Sequence, residues 1–149
     1  DEIDTYLNRM LDKQAYDNSG LIYGLGHAVY TMSDPRAVEL KKLAGELARE
    51  KGREKEYEFL KLIEQEGIKC LTARGRVKPV CANLDFYSGF IYEMIGLPQE
   101  IYTPIFAMAR IVGWTAHRIE ELNFESRRII RPAYKNILEG NTYIPISER

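Results

Sequence analysis

The sequence has no long apolar run, no excess of either charge, and almost no cysteine or histidine. Each shortage excludes something. No stretch approaches the roughly 20 apolar residues of a membrane span, so no membrane is expected. Lysine plus arginine number 21 against 22 aspartates and glutamates, so no broad field draws nucleic acid, and any anion must be held by a few placed arginines. The two cysteines, Cys70 and Cys81, stand eleven positions apart without a CxxC or a nearby histidine pair. That spacing suits neither a metal nor a disulfide framework, and both read as reduced thiols of a cytoplasmic protein. HExxH and GxxxxGK[ST] are missing. Gly24-Leu25-Gly26 lacks the third glycine and preceding strand of a dinucleotide fingerprint. The start, Asp1-Glu2-Ile3-Asp4, is no signal peptide, and without a methionine it reads as a processing boundary.

What is present is a soluble, globular composition: 45% hydrophobic and 29% charged over 149 residues. That is one domain, long enough to bury roughly two-thirds of its unfolded surface. Ile3, Tyr6, Leu7, Met10 and Leu11 fall at helical spacing, and Asn18-Ser19-Gly20 ends that pattern. Asp34 as cap and Pro35 at the first helical position open a second helix, with Val38, Leu40, Leu43, Ala44 and Leu47 as its buried stripe, closing at Lys51-Gly52. Tyr57 to Ile63 predict a third, ending at Gly67, after which residues 68–71 read as extended and 72–82 as loop. A fourth runs from Asn83 to Gly96-Leu97-Pro98, with Phe86, Tyr87, Phe90 and Tyr92 as core. A fifth, from about Thr103 to Leu122, is so apolar that burial on most sides is expected. The last twenty residues read as an extended tail. No repeat or low-complexity linker divides the chain. The expected class is all-α.

A few polar residues stand where packing alone does not require them. His27 follows two glycines in a loop that opens onto a helix start, where backbone approaches a ligand closely and negative charge is favoured; taken alone it reads equally as a structural histidine. Arg36 lies in the first turn of its helix, where the dipole disfavours a cation, though a solvent-facing arginine is unremarkable there. Arg110 sits among Phe106, Ala109, Ile111, Val112 and Trp114. If buried it needs an acid or an anionic ligand, since an unpaired charge costs several kcal/mol, and a guanidinium grips carboxylates in a two-pronged way. Asp85 is either a routine helix-start acid or, held against aromatics, a base of raised pKa. His117 reads as structural. Together His27, Arg36, Arg110 and Asp85 suit a dicarboxylate whose carbonyl is polarised beside a carboxylate base.

Four blocks in order carry a resemblance: Gly24-Leu25-Gly26-His27-Ala28-Val29-Tyr30 with Ser33-Asp34-Pro35-Arg36-Ala37; Asn83-Leu84-Asp85-Phe86-Tyr87-Ser88-Gly89; Ala109-Arg110-Ile111-Val112-Gly113-Trp114-Thr115-Ala116-His117; and Ile129-Ile130-Arg131-Pro132 with Tyr143-Ile144-Pro145. Jointly they resemble the small, catalytic domain of citrate synthase. The resemblance implies one domain over residues 1–149, a small helical domain with an extended C-terminal tail, and no cofactor beyond the substrates oxaloacetate and acetyl-coenzyme A. It casts His27 as the donor to the oxaloacetate ketone and Asp85 as the base for the thioester methyl. Arg36 and Arg110 become the carboxylate clamp, and Arg131 an arginine lent to the neighbouring subunit of a homodimer. Leu21, Ile22, Tyr23, Gly24, Leu25 and Gly26 form the loop that meets the coenzyme's adenine.

The enolate's own hydrogen-bond donor belongs, in that family, to a preceding large domain, so this chain alone is expected to be inactive. Thr31 stands where family members often carry a basic residue against the coenzyme's phosphate; Lys41, Lys42 or the loop with Arg74, Arg76 and Lys78 are the candidates to replace it. 2-Methylcitrate synthase, using propionyl-coenzyme A, shares these motifs, and a non-catalytic helical binding module is the remaining alternative.

Overall fold

The computed structural model describes residues 2–75, 78–125, 140 and 142–148. Among them are five α-helices: α1 (Glu2–Leu11), α2 (Pro35–Glu50), α3 (Glu54–Ala73), α4 (Leu84–Met94) and α5 (Tyr102–Leu122), with 3-10 turns at Gln99–Ile101 and Ile146–Glu148. No strand occurs among the described residues; one isolated antiparallel bridge pairs Leu25 with Ala82. The class is all-α. The chain forms two compact units, Asp1–Met108 and Ala109–Arg149.

In the first unit α1 packs on α3, and α2 packs on both α3 and α4. Leu7 of α1, Ile22 of the following loop, and Cys70 and Leu71 of α3 make a core, with Ile3, Met10, Leu25 and Val80 against it. Cys70 and Cys81 are both free and buried. The Asp34 carboxylate caps α2 by accepting the Arg36 N–H at 3.0 Å, with Pro35 in the first helical position. Such a cap is worth about 1 kcal/mol.

Three expectations need correction. Helix α3 does not end at Gly67 but continues through 68–71 to Ala73. Gly67 serves a close approach: a Cβ there would lie 2.5 Å from the Leu25 Cδ1. Its cost in a helix interior is about 1 kcal/mol, tolerable where neighbouring turns bury Cys70 and Leu71. On α2 the buried residues are Ala37, Ala44 and Ala48, while Val38 and Leu43 are exposed. Spacings of seven and four keep the alanines on one face, and their small side chains let α3 and α4 come near. Of the aromatics on α4, Tyr87 alone is fully buried; Phe86, Phe90 and Tyr92 are half-buried.

The largest departure is α5. Its range matches the expectation, but none of its residues is buried. Met108, Ile111, Val112 and Trp114 are exposed, Val112 by 74%. Apolar composition makes burial favourable only when a surface exists to supply it, and the described residues supply none along this helix. In the tail, Gly140 and residues 142–145 have no regular structure before the turn at Ile146–Glu148. The Ile129-Ile130-Arg131-Pro132 stretch lies outside the described residues.

Candidate functional site

The site is built on a clip between two loops. Gly26 N–H donates to the Cys81 carbonyl at 2.8 Å, and Asn83 N–H donates to the Gly24 carbonyl at 2.8 Å. The Asn83 side chain adds a third link, its Nδ2 donating to the Gly26 carbonyl at 2.9 Å. Gly24 takes a φ of 80°, and a Cβ on it would stand 2.9 Å from the Phe86 Cα. Only glycine fits both conditions. The clip thus fixes His27, one residue past Gly26, near the start of α4, where Asn83 caps the helix by accepting the Asp85 N–H at 2.9 Å.

His27 is oriented by the chain that follows it. Its Nδ1 accepts backbone N–H bonds from Val29 and Tyr30, both at 3.0 Å. An Nδ1 that accepts carries no hydrogen, so the neutral ring keeps its proton on Nε2. That Nε2 lies 3.5 Å from the Arg36 Nη2. Both atoms are then donors, and neither can satisfy the other. An acceptor oxygen set between them would take both.

Arg36 is held at the other edge. Its Nε and Nη2 donate to the two Asp34 carboxylate oxygens at 3.0 and 2.9 Å. Asp34 is 1% exposed, and the Arg36 hydrogen bond holds its carboxyl below the usual carboxylate range despite burial. The same pair raises Arg36, with smaller contributions from the charges of Tyr30 and Asp85. A cation at a helix N-terminus is thereby compensated by that helix's own cap. The Tyr30 ring sits 4.9 Å from the His27 ring and 5.6 Å from the Arg36 guanidinium carbon, between the two donors.

Asp85 faces a groove of about 440 Å³ that it lines with Leu40, Ser88, Tyr92 and Phe106. Its side chain is exposed, so the aromatic enclosure expected for a base is not provided by the described residues. Of the expected coenzyme loop, Ile22 is buried in the core, while Leu21 and Tyr23 are exposed. The Gly24 carbonyl and both backbone groups of Gly26 are engaged by residues 81–83. Ile22 and Tyr23 also line a largely apolar cavity of about 600 Å³ with Tyr6, Tyr16, Phe59 and Phe86.

Histidine 27, Arg36 and Asp85 therefore come together within the first unit. Arg110 lies in the second, exposed on α5, so the expectation of a charge buried among apolar neighbours does not hold. Arg131 falls outside the described residues. His117 is exposed, with Nδ1 3.3 Å from a Glu120 carboxylate oxygen, rather than a packed structural histidine. The candidate phosphate contacts are engaged elsewhere: Lys41 with Glu64 at 2.5 Å, Lys42 with Glu39 at 2.7 Å, and Arg74 with Asp12 at 2.7 Å. Lys78 is exposed, and Arg76 lies outside the described residues. Sequence reasoning missed Tyr30 and the double role of Asp34. The Asp-Pro-Arg spacing, which allows a cap to reach back to the arginine two residues on, was the available signal. Among the described residues no cluster of histidine, cysteine and carboxylates could hold a metal ion, and no helix is long and apolar enough to cross a membrane.

Residues 1–133 match the family model described as citrate synthase, C-terminal domain. Citrate synthase of Synechocystis sp. is 37% identical over 133 residues, covering 89% of this chain and 32% of that protein. 2-Methylcitrate synthase 1 of Corynebacterium glutamicum is 38% identical over 139 residues, 91% of this chain and 34% of that protein. The citrate synthase of Thermoplasma acidophilum, solved as a ternary complex with carboxymethyl coenzyme A and oxaloacetate, superposes with a TM-score of 0.63. It is 34% identical and covers 99% of this chain and 42% of its own. The chain thus spans about a third of the length of the curated relatives it matches.

Proposed function

The chain belongs to the citrate synthase family, and on that premise we propose that it is the small catalytic domain of an enzyme that condenses oxaloacetate with acetyl-coenzyme A. The observation that carries the reading is the pair of donors, His27 Nε2 and Arg36 Nη2, 3.5 Å apart and without an acceptor for each other. A 2-oxo dicarboxylate presents a ketone oxygen beside a carboxylate, and so satisfies both donors at once. Polarised by the His27 N–H, the ketone carbon becomes the electrophile.

The Asp85 carboxylate takes a proton from the thioester methyl group. The resulting enolate carbon bonds to the ketone carbon, and the former ketone oxygen acquires a proton. Water then cleaves the thioester, releasing citrate and the coenzyme A thiol. A thioester methyl is far less acidic than a carboxylic acid, so the base needs a donor at the enolate oxygen. That donor comes from a large domain acting with this one, whose closure also excludes water and encloses Asp85. Arg110 completes the carboxylate clamp, and Arg131 reaches the neighbouring site of a homodimer. The coenzyme is a substrate, and no resident cofactor is required. With both thiols reduced, the enzyme works in the cytoplasm.

A 2-methylcitrate synthase is a second reading, because relatives of that name are 38% and 35% identical, alongside citrate synthases at 37% to 40%. Rates with acetyl- and propionyl-coenzyme A decide between the two. The test of the common chemistry is oxaloacetate-dependent thiol release. This chain alone is expected to be silent, and addition of the large domain to restore turnover. In the full-length protein Asp85→Ala should lower kcat by about a thousandfold or more, the scale of losing a positioned base. Normal turnover in that variant would remove Asp85 from the mechanism.

A further inference from the structure

We propose that Asn83 is the positioning residue that sets the distance and angle between His27 and Asp85. The inference rests on the functional reading above, and goes beyond it by assigning work to a residue that need not touch substrate.

The geometry is specific to one side chain. Asn83 Oδ1 accepts the Asp85 N–H at 2.9 Å, and Asn83 Nδ2 donates to the Gly26 carbonyl at 2.9 Å. One end of the amide faces a backbone donor and the other a backbone acceptor, so only one orientation satisfies both. The backbone N–H of the same residue reaches the Gly24 carbonyl at 2.8 Å. Asn83 therefore grips the base's helix at its first turn and the histidine's loop at the residue before His27. Arg36 is held separately, by Asp34. The bridge between Leu25 and Ala82 also joins the two segments, but it fixes only their backbones alongside each other. The side-chain amide sets how far the first turn of α4 stands from the His27 loop.

A cap needs only an acceptor, and serine supplies one as well as asparagine. The Nδ2 donor to Gly26 adds nothing to the cap, so the two functions separate by substitution. In the full-length protein Asn83→Ser keeps the cap and removes the link, since its hydroxyl is too short to reach both partners. Asn83→Asp keeps the cap, gains a favourable charge at the helix start, and sets a carboxylate oxygen against the Gly26 carbonyl. Condensation depends on placing the enolate carbon against the ketone carbon, where an error of about 1 Å costs on the order of a hundredfold.

Both variants are expected to lose ten- to a hundredfold in kcat, with oxaloacetate affinity by titration calorimetry within about twofold of the parent and thermal midpoints within a few degrees. Parent kcat in either folded variant overturns the proposal. A loss of oxaloacetate affinity in step with kcat also overturns it, because Asn83 would then serve binding. If Asn83→Ser unfolds, Asn83→Asp decides alone, and if it unfolds too, Asn83 is a fold residue and the proposal is wrong. Asp85→Ala is run alongside: should it keep turnover, the functional reading fails on its own, visibly apart from any result at Asn83, and the positioning role falls with it.

Discussion

Helices α4 and α5 are both rich in apolar side chains and each carries a residue expected at the site, yet their surroundings differ. On α4, Tyr87 and Met94 are buried, the Asn83 cap is closed, and Arg53 reaches Glu93 at 2.8 Å. On α5 no residue is buried. Tyr87 also donates its hydroxyl to Glu64 at 2.5 Å, and that carboxylate takes Lys41 at the same distance, so α2, α3 and α4 meet at one point. Composition made two similar helices; only one has neighbours that use its apolar face. Asp85 therefore stands on a helix anchored within this chain, whereas Arg110 stands on one whose apolar face is left uncovered by the described residues.

The largest expected effect that bears on the contrast is at Tyr87. Tyr87→Ala should destabilise this chain by about 3–5 kcal/mol, the range for emptying a large buried aromatic site, and it also strands the Lys41–Glu64 pair without its hydroxyl donor. Denaturant unfolding measures it. A loss below about 1 kcal/mol would mean that α4 is no better anchored than α5.

That contrast also marks what the residues disclosed by themselves. Helix existence was legible wherever caps and periodicity agreed: Asp34-Pro35 and Asn83 marked two helix starts correctly. Gly67 misled because glycine both ends helices and admits close neighbours, and only the position of Leu25 tells which. The buried face of α2 was misread for a related reason, since the larger Val38 and Leu43 drew attention from the alanines that face α3 and α4. At the site, residue types and order pointed to His27, Arg36 and Asp85. What they could not disclose was the clip at residues 81–83, because a single bridge between segments more than fifty residues apart leaves no periodic signal. Nor does α5 announce its exposure, since burial depends on a partner surface and not on the helix's own sequence.

A smaller effect separates the two regions by pH. Cys70, in the core of the first unit, has its thiol pushed up to about 11, first by burial and then by its hydrogen bond to Asp4. A group whose folded pKa is raised gives its full stabilisation below the unfolded value, near 9. As pH rises from 9 toward 11 the unfolded chain ionises while the folded one resists, and the stabilisation is lost through the folded pKa. The expected loss is on the order of 2 kcal/mol across that window. Cys70→Ala should start from a lower melting temperature but decline less steeply above pH 9. Tyr87 is raised as well, by burial and by Glu64, and it remains in both chains, so the difference in slope isolates the thiol. Parallel slopes would show that Cys70 does not contribute to the alkaline limb.

The smallest effect is the most informative about α5. Trp114 is 52% exposed, so Trp114→Ala in this chain should change stability by no more than about 0.5 kcal/mol, the usual span for surface substitutions. The same substitution made in the full-length protein asks whether that surface finds a cover there. A large aromatic side chain that becomes buried against a partner domain should cost about 3 kcal/mol or more on removal, and the Arg110 beside it on the helix would then be enclosed where a carboxylate can reach it. If Trp114→Ala is as mild in the full-length protein as in this chain, α5 is a solvent-facing helix in both. Arg110 would then have to bind substrate from an open surface, where screening by water and salt leaves a single ion pair worth at most about 1 kcal/mol, too little to hold a dicarboxylate through turnover. A cost as large as that of Tyr87→Ala in this chain alone would abolish the contrast between the two helices from the other side, because α5 would already have an interior of its own.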